Sequence, residues 1–157
     1  PGPSAVTTAL LLSGLPTDRF CFEGFPPRTQ GAREKWFKDL AQEERTIIFF
    51  EAPHRIVESL TDAAGGFGLD RNGAICREMS KHYEEIVRGD ISELVDWAKS
   101  KEILGEITVV VEGFDPGTRE FSAEDLVKLV VEQEKARLAE FSASLDKLNA
   151  QLAKLNK

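Results

Sequence analysis

Thr46-Ile47-Ile48-Phe49-Phe50-Glu51-Ala52-Pro53-His54-Arg55 carries the reading that decides the fold. Its first five residues form a continuous apolar run, the mark of a strand buried on both faces. Polar residues and Pro53 follow at once. A proline at the start of a helix costs little, because its missing N–H has no partner in the first turn anyway. The stretch therefore predicts an interior strand that feeds a helix over residues 53–64.

The same alternation extends in both directions. Residues 4–14 read as an apolar helix ended by Gly14. Arg19 to Phe25 reads as a strand with aromatics at alternate positions, stopped by Pro26-Pro27. Gly31 to Gln42 is an amphipathic helix with Trp36, Phe37 and Leu40 at helical spacing. Gly65-Gly66-Phe67-Gly68 reads as a helix end and loop. Residues 73–78 and 84–89 are strands, and Asp90 caps a helix carrying Ile91, Leu94, Val95 and Ala98. Residues 105–112 form the last strand. Strands alternating with helices predict an α/β layer structure. Two consecutive strands near Cys76 and Ile86 make the sheet mixed, with about five strands flanked by helices.

The body is expected to span 1–113, a linker 114–122 and a helical tail 123–157. In the tail, Leu138, Phe141, Leu145, Leu148, Leu152 and Leu155 alternate spacings of three and four, a heptad seam. It fits either a helix packed on its own domain or a dimerising helix.

Composition narrows the functions. The chain has 157 residues, 41% of them hydrophobic, so it can bury a core. No apolar run approaches the length of a membrane span, and no signal peptide is visible. Cys21 and Cys76 lack metal spacing and read as buried thiols of a reducing, cytoplasmic compartment. The net charge of −7 opposes broad nucleic-acid affinity, so any RNA binding needs a local basic face. Nothing resembles a P-loop, a serine triad or a dinucleotide-binding turn, and His54 and His82 are too few for a histidine metal site.

Chemically capable residues lie where strands end, the usual ligand edge of open α/β sheets. Glu51 is a candidate hydrogen-bond acceptor, and His54 and Arg55 can face a phosphate or carboxylate. The alternative is a Glu51–Arg55 ion pair that only stabilises the loop. Arg77-Glu78-Met79-Ser80-Lys81 reads first as a structural ion-pair cluster. Arg28, Arg33, Lys35 and Lys38 form a basic stretch interleaved with Phe25, Trp36 and Phe37. Charge runs of this kind are usually solvated helix faces. Pro1-Gly2-Pro3-Ser4-Ala5 runs straight into a helix with no strand before it, and helix starts attract anions. It is expected to be half of a ligand site in a two-domain protein whose other half lies outside this chain.

Several motifs occur together and in order. They are Pro1 to Ala5, Ser13-Gly14-Leu15-Pro16-Thr17-Asp18-Arg19-Phe20, Phe22-Glu23-Gly24-Phe25-Pro26-Pro27-Arg28, Glu51 to Arg55, Arg77 to Lys81, Glu84 to Gly89, and Gly105-Glu106 before a valine strand. This order, over residues 1 to about 113, resembles the ribosomal RNA small subunit methyltransferase I family, a branch of the tetrapyrrole methylase superfamily. The resemblance implies the second domain of a two-domain fold that binds S-adenosylmethionine in the interdomain cleft. It implies methyl transfer to a cytidine 2′-hydroxyl of small-subunit ribosomal RNA. It puts Ser4, Ala5, Glu51, Met79, Val110 and Val111 at the cofactor. Deprotonating a ribose hydroxyl needs a base, for which Glu51 and His54 are candidates. Arg28, Arg55, Arg77, Lys81 and Arg88 are candidates for RNA phosphates. The resemblance also implies a homodimer, and a missing N-terminal domain that leaves this chain inactive alone. A corrin or porphyrin methyltransferase of the same superfamily is the alternative, disfavoured by the Glu51–Arg55 loop and the basic stretch. A non-catalytic dimerisation module is another.

Overall fold

The computed structural model describes residues 2–118 and, beyond them, residues 131, 134, 135, 137, 138, 141 and 142. The chain divides into two compact units, Pro1–Asp115 and Pro116–Lys157.

The first unit is α/β, as its alternating sequence predicts. In chain order its elements are α1 (Ala5–Ser13), β1 (Phe20–Phe22), α2 (Gln30–Asp39), β2 (Thr46–Glu51), a 3₁₀ turn (Pro53–Arg55), α3 (Ile56–Phe67), β3 (Asn72–Arg77), β4 (Glu85–Asp90), α4 (Ile91–Ser100) and β5 (Ile107–Val111). The sheet order is β1-β2-β5-β3-β4. β1 and β2 are parallel, which requires a crossover, and α2 supplies it. The other pairings are antiparallel, so the sheet is mixed. Central β5 is buried along its whole length, which explains why Ile107-Thr108-Val109-Val110-Val111 shows no polar alternation.

The two faces are covered unequally. Ile47, Phe49, Ile75, Val109 and Val111 pack under α2, α3 and α4 in the larger core. Ile48, Cys76 and Val110 point the other way, against Ala9 and Leu10 of α1. Gly14 adopts φ 75°, the left-handed turn that ends α1. Asp90 caps α4 through a reciprocal pair: the Glu93 N–H donates to Asp90 Oδ1 at 2.8 Å, and the Asp90 N–H donates to Glu93 Oε2 at 3.1 Å.

Two local expectations change. α3 does not end at Ala64 but continues through Gly65 and Gly66 to Phe67. A Cβ on Gly66 would lie 2.7–2.8 Å from Phe37, backbone included, so Gly66 marks a close helix–helix approach and not a loop. Arg33, expected on a solvated basic face, is 2% exposed between α2 and α3. Its Nε donates to Asp62 Oδ2 at 2.6 Å, and it also reaches Glu58 Oε2 at 3.3 Å and the Arg28 carbonyl at 3.3 Å.

The free thiols Cys21 and Cys76 are buried, and burial pushes both up to about 11. No described helix is long and apolar enough to cross a membrane.

Before β2 the Arg45 side chain grips Glu43, at 2.8 Å through Nε and 2.7 Å through Nη2. The Arg45 backbone N–H adds a bond at 2.9 Å. The Glu43 carbonyl accepts from the Phe114 N–H at 2.6 Å, which ties the end of the body to this turn. The side-chain bond to Arg45 is the main cause that lowers the Glu43 carboxyl from 4.5 to about 2. A carboxyl depressed on folding stabilises above its ordinary value and loses that contribution as pH falls through the folded one. Glu43→Gln should therefore lower the melting temperature at neutral pH, by less than about 1 kcal/mol of stability for so exposed a pair. The gap to the wild type should close between pH 4.5 and 2. A gap that persists at pH 2 contradicts this assignment.

In the second unit, residues 116–118 form a 3₁₀ turn and the described residues from 131 to 142 are helical. Leu138 and Phe141 of the expected seam are exposed, at 66% and 62%. Leu145, Leu148, Leu152 and Leu155 lie outside the described residues.

Candidate active-site rim

β2 and β3 each run antiparallel to β5, so their carboxyl ends emerge on one edge of the sheet. Glu51 pairs with Ile107, and Ile107 with Arg77, which places three loops side by side: 51–55, 77–84 and 103–106. α1 points its start at the same edge. Its end lies level with Arg88, whose Nε donates to the Leu12 carbonyl at 3.0 Å and the Ser13 carbonyl at 3.2 Å. Its middle lies level with Cys76, whose thiol donates to the Ala9 carbonyl at 3.7 Å. Arg88 pairs with Ala74, and Cys76 is two residues nearer the rim, so Ser4 and Ala5 reach the rim one further turn along.

Ser4 is the exposed N-cap of α1, and its side chain makes no capping bond. The first-turn N–H groups have no partner within the helix.

Glu51 is enclosed, its side chain 0% exposed. It accepts from the Ala52 N–H at 2.7 Å and from the Ser59 hydroxyl, and lies 3.4 Å from Arg55 Nη2. Arg55 also donates to the carbonyls of Pro26 and Pro27, at 3.1 and 3.0 Å. The ion pair named as an alternative in the sequence is thus present, and it is internal. His54 is exposed and lines a cleft of about 450 Å³ with Ile56, Lys101, Glu102 and Leu104.

The loop after β3 is held in an unusual conformation. Glu78 and Ser80, on either side of Met79, have φ of 48° and 64°. Non-glycine residues rarely adopt such angles unless their surroundings impose them. Here Glu78 Oε1 accepts from Lys81 Nζ and from the Glu106 N–H, both at 2.8 Å. Its carboxyl lies over Gly105, at φ 91°, where a Cβ would come within 2.4 Å of it. Lys81 holds the Glu78 carboxyl below its ordinary range, and Glu78 in turn raises Lys81. Arg77 meets Glu85 at 3.1 Å and the Leu104 carbonyl at 3.0 Å. Glu85 also meets Lys101 at 2.7 Å, a bond that lowers its carboxyl. Met79 packs, partly buried, against the core beneath α1.

The rim therefore gathers Ser4, Ala5, Glu51, His54 and Met79. Val110 and Val111 lie elsewhere, in the ladder opposite Ile48 and Ile47 and fully covered. Of the five basic residues assigned to RNA, Arg77 and Lys81 are engaged by carboxylates, Arg55 is internal and Arg88 closes α1. Among the described residues Arg28 is exposed with no polar partner on its side chain. No group of described residues is placed to hold a metal ion. Sequence reasoning missed the internal role of Arg33 and the cleft beside His54. The only signal for the first was the spacing of Arg33 and Phe37, one helical turn apart on the buried face.

Comparison with known proteins defines the class. The family model for tetrapyrrole (corrin/porphyrin) methylases matches residues 1–95, and the chain belongs to that family. The fold agrees. Cobalt precorrin-4 methyltransferase superposes with a TM-score of 0.54 at 17% identity, over 71% of this chain and 50% of that one. The methyltransferase CobJ gives 0.55 at 17% identity, over 78% and 52%. Within the family the chain is similar to proteins named ribosomal RNA small subunit methyltransferase I. That from Mycobacterium tuberculosis is 56% identical over 116 residues, 74% of this chain and 40% of the relative. That from Bacillus subtilis is 45% identical over 113 residues, 72% and 38%. The chain thus spans about two fifths of the length of these relatives.

Proposed function

We propose that this chain is the C-terminal α/β part of an S-adenosylmethionine-dependent methyltransferase acting on small-subunit ribosomal RNA, at a cytidine 2′-hydroxyl. The observation that carries the reading is the 56% identity, over 116 residues, to a protein named ribosomal RNA small subunit methyltransferase I. Methylases of this family use S-adenosylmethionine. The rim fits the outer part of such a ligand. Uncapped N–H groups at Ser4 and Ala5 suit a carboxylate or ribose oxygen, and Met79 offers an apolar contact for the adenine. When bound, the cofactor supplies an activated methyl group. The chain's residues then orient the acceptor and remove its proton.

The burial of Glu51 favours His54 as the base, because a base must reach the hydroxyl it deprotonates. Glu51 instead sets the shape of the 51–55 loop. The reading includes a homodimer and, with two buried free thiols, a reducing cytoplasmic setting.

The test is methylation of small-subunit particles by the complete protein that carries this chain. Methyl is expected at a cytidine 2′-oxygen, and none with the isolated chain. His54→Ala should lower the rate about 10²- to 10⁴-fold with an unchanged melt. Methylation of a tetrapyrrole in place of RNA refutes the substrate assignment. Full activity in His54→Ala refutes the base.

A further inference from the structure

α1 covers β5 and β3 and leaves the β1 side of its face open. There the rim continues into an aromatic shelf. Phe22 pairs in register with Ile48, which lies on the α1 face, so Phe20 and Phe22 point to that face while Cys21 points to the opposite core. Phe20, Phe22 and Phe25 are 40%, 44% and 63% exposed. Half-buried Phe50, next to Glu51, sits among them, 4.8 Å from the Phe22 ring and 5.5 Å from the Phe25 ring, tilted by 60° and 61°. The rings are not stacked on one another.

The shelf is rigid. Gly24, at φ 74°, turns the chain, and its carbonyl accepts from the Phe50 N–H at 2.8 Å. Pro26 and Pro27 fix the next two φ angles, and Arg55 holds both their carbonyls. Phe25 is thus presented to solvent on a braced loop, three residues before the unpaired, exposed Arg28.

Exposed rings, a bracing arginine and a free guanidinium beside the rim narrow the occupant. The three rings offer on the order of 300 Å² of open surface, at roughly 200 Å² per phenylalanine. A stable protein interface needs about 800 Å² per partner. A splayed nucleotide needs one ring face and one cation, and this site supplies both. We propose that Phe25, backed by Phe22 and Phe50, is a stacking platform for an unstacked base of the substrate RNA beside the target nucleotide, with Arg28 on the adjoining phosphate. This rests on the RNA-methyltransferase reading.

The test is anisotropy of a labelled single-stranded RNA oligonucleotide with the complete protein that carries this chain, beside thermal melts and sedimentation. Phe25→Ala should weaken binding about 5- to 100-fold without shifting the melt. Phe25→Tyr should restore it, and an abasic oligonucleotide should bind both forms alike. Unchanged affinity in Phe25→Ala overturns the shelf and leaves the RNA reading standing. The same follows if Phe25→Ala only converts a dimer to monomer, which makes the shelf an interface between copies. No binding by the wild-type complete protein overturns both.

Discussion

Arg33→Ala should destabilise the body by about 3–5 kcal/mol, the cost of removing one partner from a buried ion pair. Three features put the value in that range. The Arg33 and Asp62 side chains are 3% and 9% exposed. Asp62 has no other hydrogen-bonding partner among the described residues, so the substitution leaves a buried carboxylate alone. The pair also lies at the α2–α3 contact, where Gly66 already brings the helices too close for a side chain. Glu58 contributes little, being 69% exposed. With a total stability of about 5–15 kcal/mol, the loss removes about a fifth or more, a fall of about 10–20 °C in melting temperature. The double replacement Arg33→Met with Asp62→Leu should recover most of it, because apolar residues of similar volume replace buried pairs at little cost. An unchanged melt in Arg33→Ala sinks this account.

Arg33 also shows what limits a reading of the sequence. The strands are legible because their apolar runs are continuous or alternate in ways no helix shares. The helices are legible from caps such as Asp90 and from Gly14. A buried arginine is not legible, because its partner stands 29 residues away on another helix. Arg28, Arg33, Lys35 and Lys38 look alike as letters, and only packing separates the internal one from the solvated ones. Gly66 misleads for the same reason. Glycine ends many helices, but here the missing Cβ serves a neighbouring helix.

The rim was legible as a place and less so as chemistry. That Ser4, Glu51, His54 and Met79 lie near one edge follows from strand ends and motif order. Which of them face solvent does not, since Glu51 and His54 sit three residues apart and end in opposite environments. The charged groups Arg77, Glu78 and Lys81 are read correctly as an ion-pair cluster. Their effect on the backbone, two left-handed residues flanking Met79, has no sequence signature because neither is glycine. Val110 and Val111, assigned to the cofactor through the resemblance, stand opposite Ile48 and Ile47 at the end of β5 away from Glu51 and Arg77, a register that the apolar run by itself does not disclose.

Arg55→Ala should cost about 2 kcal/mol, less than Arg33→Ala although both side chains are largely enclosed. An exposed Glu51–Arg55 pair would contribute only about 0–1 kcal/mol, but Arg55 is 15% exposed and Glu51 not at all. Breaking such a pair starts from about 3–5 kcal/mol. Two features reduce the loss. Glu51 keeps the Ala52 N–H and the Ser59 hydroxyl, so its charge is not stranded. Arg55 Nε is buried without a partner, a penalty of about 1–3 kcal/mol that the substitution removes. The other half of its contacts, to the Pro26 and Pro27 carbonyls, bears on the proposed RNA platform. By releasing the Pro26 and Pro27 carbonyls, Arg55→Ala frees the loop that presents Phe25. RNA binding by folded molecules should therefore fall along with the melt, at temperatures well below the transition. Arg55→Lys has a single ammonium to share among three acceptors and should recover only part of either. If Arg55→Ala lowers the melt but leaves RNA affinity per folded molecule unchanged, the brace is structural alone. If the melt does not move at all, the enclosed pair is not the one described.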